Sequence, residues 1–300
     1  MSIINGFVGN SGKTRGLFGG GFTAILVNTI DYIEISNKSN ALNFGNLSTA
    51  RSQLASCSSS TRGVFSGGHD GNYLNIIDYI TFAITGIAQS FGSLTTLQSD
   101  LAACSSSTRG IFGGGRGTSA LTNVIDYITI SEETDAIDFG DLDVITQRLS
   151  SCASSTRGIF AGGITGSTYL KSISYITIST IGNVSAFGDL TVEKMYVDGC
   201  SSQTRGIFNG GDISNAIDYI TIASGGNAQD FGDLTYWDNN HAQKSCASTI
   251  SGIFGSSSSS SSNDIINYVT ISEKSNSNEF GNLTIGRYYP ACCSNCHGGL

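Results

Sequence analysis

The residues with the most chemical potential lie at the end of the chain. Cys293-Ser294-Asn295-Cys296-His297 satisfies the CxxCH spacing by which haem is attached through two thioethers. Cys292, Cys293, Cys296 and His297 also offer four soft ligands of the kind that hold zinc. A second constellation is spread along the chain: Arg15, Arg62, Arg109, Arg157 and Arg205 recur in one local context. Five guanidinium groups brought to one end of a channel would bind a carboxylate or sulfate.

Both constellations belong to a repeat. Cys57, Cys104, Cys152, Cys200, Cys246 and Cys292 are separated by 47, 48, 48, 46 and 46 residues. Tyr32, Tyr79, Tyr127, Tyr175, Tyr219 and Tyr268 follow the same period, as do Phe44, Phe91, Phe139, Phe187, Phe231 and Phe280, each with Gly after it. The third copy runs TRGIFGGG, a variable loop, NVIDYITI, AIDFGDL and a linker into QRLSSCASS. We divide the chain into an N-terminal arm, 1–13, and repeats 14–60, 61–107, 108–155, 156–203, 204–249 and 250–300, all in one domain.

Runs of β-branched and aromatic residues broken by Gly, Ser, Asn and Asp predict strands of about six residues, and no run shows a helical period. Around the second copy these are Arg62–Gly67, Ile77–Phe82, Ala88–Leu94 and Gln98–Cys104. The run Ile77–Phe82 sets Ile77, Tyr79 and Thr81 on one face and Asp78, Ile80 and Phe82 on the other, so each sheet must be covered on both sides. Six such four-stranded units stack stably only around an axis. The expected fold is therefore all-β, a six-bladed β-propeller of four-stranded antiparallel blades. The C-terminal segment from Cys292 repeats the first strand and is expected to close the first blade, leaving the first dozen residues free to reach a neighbour.

Strands ending in paired glycines (Phe18-Gly19-Gly20, Phe112-Gly113-Gly114), an aromatic in the next strand and a second aromatic about a dozen residues later resemble the kelch repeat, with Phe where kelch repeats usually carry Trp. The TRG(I/V/L)F and FG(D/N/S)L cassettes resemble those of the degenerate kelch-like proteins of tailed bacteriophages. That resemblance implies a non-catalytic virion component: a tail fibre, baseplate or capsid decoration that attaches to other virion proteins, to host surface proteins or to cell-surface glycan. Such a protein is made in the cytoplasm without a signal peptide and becomes extracellular after lysis, which the start MSIINGFVGN accommodates, having neither a basic leader nor an apolar run. The alternative is a cellular carbohydrate-binding or scaffolding kelch-like propeller.

Returned to this frame, the chemistry recedes. A strand sends neighbouring side chains to opposite faces, so Cys292, Cys293 and Cys296 would not converge on a metal; no metal, haem or other cofactor is expected. The recurring Cys are expected to be small buried apolar residues of inner strands, unbridged because equivalent strands would hold them beyond roughly 7 Å. Each Arg has a structural alternative to the channel-end ring, tying its strand to polar groups such as Asp138 or Asp230. No sialidase Asp box occurs, and His69, His241 and His297 lie at unlike places, unsuited to a copper oxidase. No enzyme is expected. A net charge of -8 without a basic cluster argues against nucleic acid, and no run approaches the roughly 18 apolar residues of a membrane span.

What varies between copies points to partners, because loops on a rigid scaffold carry recognition. The loops after the paired glycines and the linkers after FG(D/N/S)L share one face. They carry His69, Asp70, Tyr73, Arg116, Tyr169, Tyr196, Tyr236, Trp237, Tyr288 and Tyr289, our candidate binding residues, with Trp237 the expected anchor. Each repeat Tyr is expected to fill the gap between blades, so that Tyr127→Ala would cost about 3–5 kcal/mol.

Overall fold

The computed structural model describes residues 14–235, 243–255 and 264–300. The N-terminal arm, the Tyr236/Trp237 pair, His241 and the serine tract Ser256–Ser262 lie outside them. Among the described residues every regular element is a strand, and the strands form six four-stranded antiparallel blades, with Gly86–Ile87 added parallel to the outer strand of blade 1 and Ile164–Thr165 and Thr168–Tyr169 forming a separate hairpin. Blade 2, from the axis outward, is Ala55–Ser58, Arg62–Ser66, Ile76–Thr81 and Gln89–Ser93. Blades 3 to 6 follow in chain order, with inner strands Ala102–Ser105, Ser150–Ala153, Asp198–Ser201 and Lys244–Ala247. In blade 1 the inner strand is Ala291–Ser294, paired antiparallel with Arg15–Gly19, so the C-terminal strand closes the ring. The inner strands are shorter than the sequence suggests: Gln98–Leu101 belongs to a linker.

The closing register differs by one residue from the sequence reading. Cys293 pairs with Leu17 as Cys57 pairs with Val64, whereas Cys292 takes the place of Ser56. Cys293 is therefore the sixth recurring cysteine, and His297 falls at the place of Thr61, not of an Arg. Two adjacent Cys point to opposite faces of the strand, and only pairing selects between them.

There is no single core. Each interface between neighbouring blades has its own apolar cluster, such as Ile77, Phe91, Phe112, Ile128 and Ile130 between blades 2 and 3. Two cassettes build these interfaces. In TRG(I/V/L)F, the Gly leaves a hole for the cysteine of the preceding blade: a methyl carbon at Gly110 would lie 2.6 Å from Cys57 Sγ, and one at Gly63 would lie 3.1 Å from Cys293 Sγ. Gly110→Ala is expected to destabilise by about 1–3 kcal/mol through overpacking, and Cys57→Ala in the same chain to recover most of it. Urea unfolding of the single and double variants measures both, and an additive double variant would contradict the fit.

In FG(D/N/S)L, the Phe is the extra residue of a β-bulge. Ile125 opposes Gly140 and Asp126 opposes Asp138, with Phe139 between them. The following Gly lets the next blade's turn lie on the outer strand, because a methyl carbon at Gly92 would meet Thr134 O at 2.6 Å. Ala136 N then donates to Ser93 O at 2.8 Å, so the exposed edge that each outer strand would offer to aggregation is covered by its neighbour.

The recurring Tyr do pack between blades, each edge-on to the Phe of its FG pair at centroid distances of 5.9 to 6.3 Å. They are half-buried, however. Tyr127→Ala should accordingly cost less than the 3–5 kcal/mol of a fully buried aromatic such as Phe139.

Where the outer-strand linker passes under the next blade, three blades hold a fully buried ion pair among the described residues: Arg51–Asp78 at 2.9 Å, Lys194–Asp218 at 3.2 Å and Arg287–Asp31 at 3.3 Å. Blade 3 keeps the carboxylate, Asp126, but has Gln98 in place of the cation. Asp126 accepts from Thr95 N and Oγ1, and burial raises its pKa. A carboxyl with a raised folded pKa stabilises the fold below the ordinary value of about 4, and that contribution is lost as pH rises through the folded value. Asp126→Asn, which installs the residue blade 6 carries as Asn267, is expected to raise the melting midpoint at pH 7 and to leave it unchanged near pH 3. A variant melting below the parent at pH 7 would contradict this.

Candidate functional site

Six inner strands meeting at the axis leave room only for small side chains. The channel between them is lined by Ser, Cys, Ala and Gly of the inner strands together with His297, and has a volume of about 60 Å³. Serine hydroxyls stitch the strands together: Ser105 Oγ donates to Ser58 O at 2.8 Å, Ser58 Oγ to Ser294 O at 2.7 Å and Ser201 Oγ to Ala153 O at 2.6 Å. All eight cysteines are free. Cys292 packs against the cluster that holds Cys246 between blades 6 and 1.

The chain's own C-terminus crosses one end of the channel. His297 Nδ1 accepts from Gly299 N at 3.0 Å, which leaves the proton on Nε2, and Nε2 donates to Ser58 O at 3.0 Å. Gly298 N donates to Ser201 O at 2.9 Å, and Gln203 Nε2 to Leu300 O at 3.0 Å. Burial lowers the His297 pKa, which favours this neutral form. In the CxxCH run, Cys293 Sγ faces Gly63, Cys296 Sγ lies 3.6 Å from Ala247 O and the imidazole is spent on Ser58. These groups diverge, but only Cys293 does so as part of the closing strand; Cys296 and His297 lie in the turn that follows it.

The recurring arginines lie between blades and are absent from the channel lining. Each guanidinium stacks on its own blade's Tyr, from 4.4 Å for Arg109 on Tyr127 to 4.9 Å for Arg15 on Tyr32. It also donates to a carbonyl of the next blade: Arg62 to Ile130 O at 3.1 Å, Arg109 to Ile178 O at 2.8 Å, Arg157 to Ile222 O at 2.9 Å, Arg205 to Ile271 O at 2.8 Å, and Arg15 to Phe82 O. Their shared partners are therefore backbone carbonyls of the neighbour, not Asp138 or Asp230; Arg62 adds an ion pair to Glu133 of the next blade at 2.9 Å. Blade 6 has Ser251 instead, and Lys38 of blade 1 supplies the missing cation, 3.9 Å from the Tyr268 centroid.

The other end of the channel opens on the face of the variable loops. In five linkers the second residue before the inner strand is left-handed without being glycine: Gln53, Asp100, Arg148, Tyr196 and Tyr289, with φ between 50° and 57°. The conformation bends each linker into the axis, where main-chain bonds run from one to the next. Gln53 N donates to Tyr289 O at 3.0 Å, Asp100 N to Gln53 O at 2.9 Å, Arg148 N to Asp100 O at 2.8 Å and Tyr196 N to Arg148 O at 3.0 Å. Their side chains and Lys244 converge around one small pocket. Arg148 Nε is 3.5 Å from Asp100 Oδ2, Gln53 Nε2 donates to the same oxygen at 3.3 Å, and the Arg148 guanidinium lies 4.5 Å from the Tyr196 centroid. Burial raises the Asp100 pKa and the Arg148 charge opposes it. Tyr196, Tyr289, Tyr288 and Phe22 continue outward as a file of rings with centroid separations of 5.6, 6.0 and 6.4 Å.

Of the sequence candidates, Tyr196, Tyr288 and Tyr289 thus come together at the axis. The others lie apart. His69 and Tyr73 pack edge to face at 5.2 Å within one loop, where Asp70 caps Asn72 N at 3.0 Å. Arg116 is exposed on a bridge to Ser99, and Tyr169 OH donates to Asp212 Oδ2 at 2.8 Å. Tyr236 and Trp237 are among the residues not described. Sequence reasoning passed over Gln53, Asp100, Arg148 and Lys244. For the first three the available signal was one repeat position, four residues before the recurring Cys, that is Gln, Asp, Arg and then Tyr in successive linkers while the next residue stays apolar: Leu54, Leu101, Leu149 and Val197. Among the described residues no group of three or more His, Cys, Asp or Glu is placed to hold a metal ion. No protein-family model and no curated protein matches the chain.

Proposed function

We propose that this protein is a non-catalytic, kelch-like attachment propeller, a virion component of a tailed bacteriophage that engages another protein or a cell-surface glycan through its loop face. The observation that carries the reading is the axial cluster of Tyr196, Tyr289, Arg148, Asp100 and Gln53. Tyrosine faces beside planar polar side chains suit both a sugar ring and a protein contact. The opposite face offers near-identical Ser-Ser-Thr turns and a channel covered by the C-terminus, so only the loop face has the irregularity that selective recognition needs.

Binding of labelled protein to intact host cells tests this. Tyr196→Asn and Tyr289→Asn keep a residue that tolerates the left-handed backbone. Together they are expected to weaken retention at least about tenfold, a modest loss for two aromatic contacts, at an unchanged melting midpoint. Full retention by the double variant would overturn the assignment.

A further inference from the structure

The buried ion pairs beneath the blades identify a place where blade 4 differs. In blades 1, 2 and 5 a linker cation reaches a strand carboxylate and also a carbonyl: Arg287 Nη2 to Phe18 O at 2.8 Å, Arg51 Nη2 to Phe65 O at 3.3 Å and Lys194 Nζ to Ala216 O at 3.1 Å. In blade 4 the cation is replaced by Thr146 and the carboxylate by Ser174, and Ala186 faces Ser174 across the outer pair. A cavity of about 300 Å³ stands there, lined by Thr146, Leu149, Phe160, Ser172, Ser174 and Ala186. Its walls include Leu142, Leu149, Phe160 and Leu170, aliphatic and aromatic groups suited to the stem of an Arg or Lys.

The acceptors of that missing cation remain. Phe160 opposes Ser174 as Phe65 opposes Asp78, and Ser172 opposes Asp189 as Ala216 opposes Asp233, so the two carbonyls keep their places; Ser172 O accepts from Gly162 N at 3.1 Å and retains its second lone pair. The carboxylate has moved rather than vanished. Asp143 lines the cavity from the linker position that holds a hydroxyl in Ser48, Thr191 and Thr284, and it is exposed and without an ion pair among the described residues. Asp189 adds a second carboxylate, half-shared with exposed Lys171 at 3.4 Å.

We propose that this cavity is a binding site for a guanidinium or ammonium group on an unbranched aliphatic stem, the side chain of an arginine or lysine presented by a partner protein. The group takes the place that Arg51, Lys194 and Arg287 fill in their own blades. Its charge meets Asp143, its N–H donors meet the carbonyls of Phe160 and Ser172 and the Ser174 hydroxyl, and its stem lies on Leu149 and Phe160. The site is off the axis, and its test is independent of that for the attachment surface.

The probe is butylguanidinium, titrated into the ¹⁵N-labelled full chain, with pentanol and valerate as neutral and anionic chains of similar length. Saturable amide shifts confined to the surroundings of Thr146, Phe160 and Ser172–Ser174 are expected for butylguanidinium alone. Asp143→Asn, on the surface, should weaken the response about tenfold, as befits a charge-assisted hydrogen bond. Thr146→Arg with Ser174→Asp, which rebuilds the internal pair, should abolish it at an equal or higher melting midpoint. Shifts that fail to saturate, that pentanol reproduces, that Asp143→Asn leaves at full strength, or that persist in the Thr146→Arg, Ser174→Asp variant would overturn the site.

Discussion

Deleting residues 291–300 is expected to lower the melting midpoint by at least about 10 °C and to broaden the transition. The closing strand is four residues long, yet it makes three separate kinds of contact. Gly16 to Gly19 pair with it along its whole length. Cys293 fills the hole at Gly63 and, with Ala291, enters the cluster between blades 1 and 2. The residues after it tie Ser58, Ser201 and Gln203 across the channel. Losing all of this exceeds the roughly 3–5 kcal/mol of one large core truncation, and each kcal/mol is worth about 2–4 °C in a chain of this size. It also opens the ring, so two inter-blade clusters face water. A peptide spanning 287–300 added in trans should restore part of the midpoint. A truncated protein melting like the parent would mean that the ring does not depend on this strand.

Arg287→Ala is expected to cost about 3–5 kcal/mol, because it strands the Asp31 carboxylate where both side chains are 0% exposed. Asp31 would keep only its bonds from Thr284 N and Oγ1, at 3.2 and 2.7 Å. The informative partner is the double variant Arg287→Thr with Asp31→Ser, which copies what blade 4 already carries at Thr146 and Ser174. Because a buried pair contributes little net stability while half a pair is expensive, the double variant should be more stable than Arg287→Ala by 2 kcal/mol or more, as an order-of-magnitude expectation. Urea unfolding gives both values. A double variant no better than the single would show that Asp31 is not penalised by its isolation.

The repeat was legible because it is written in the order of residue types: the steps of Cys, Tyr and Phe set the number of blades, and alternation with both faces apolar required neighbours on both sides of each sheet. The need for glycine in TRG and FG was visible too, but not its cause. Gly110 is small because Cys57 of another blade enters it, and Gly92 because a turn of another blade crosses it. Those partners lie some 50 and 40 residues away, and no local pattern names them.

The same limit separates what the chain by itself determined about function from what packing decided. The sequence determined which face varies, since a loop's length and composition are local properties. Tertiary structure decided which residues meet. The recurring arginines went between blades because a guanidinium there satisfies a neighbour's carbonyl and a tyrosine face at once, although their spacing alone allowed a ring around the channel. Gln53, Asp100, Arg148, Tyr196 and Tyr289 converge because the left-handed bend in each linker aims them at a common axis. Cys293 enters the cluster between blades 1 and 2 while Cys292 packs against that between blades 6 and 1, because strand pairing with Leu17 sends two adjacent and chemically identical side chains to opposite faces. Local preference decides that a segment is a strand; which of its two faces meets a given neighbour is set only when the sheet is paired and the blades are stacked.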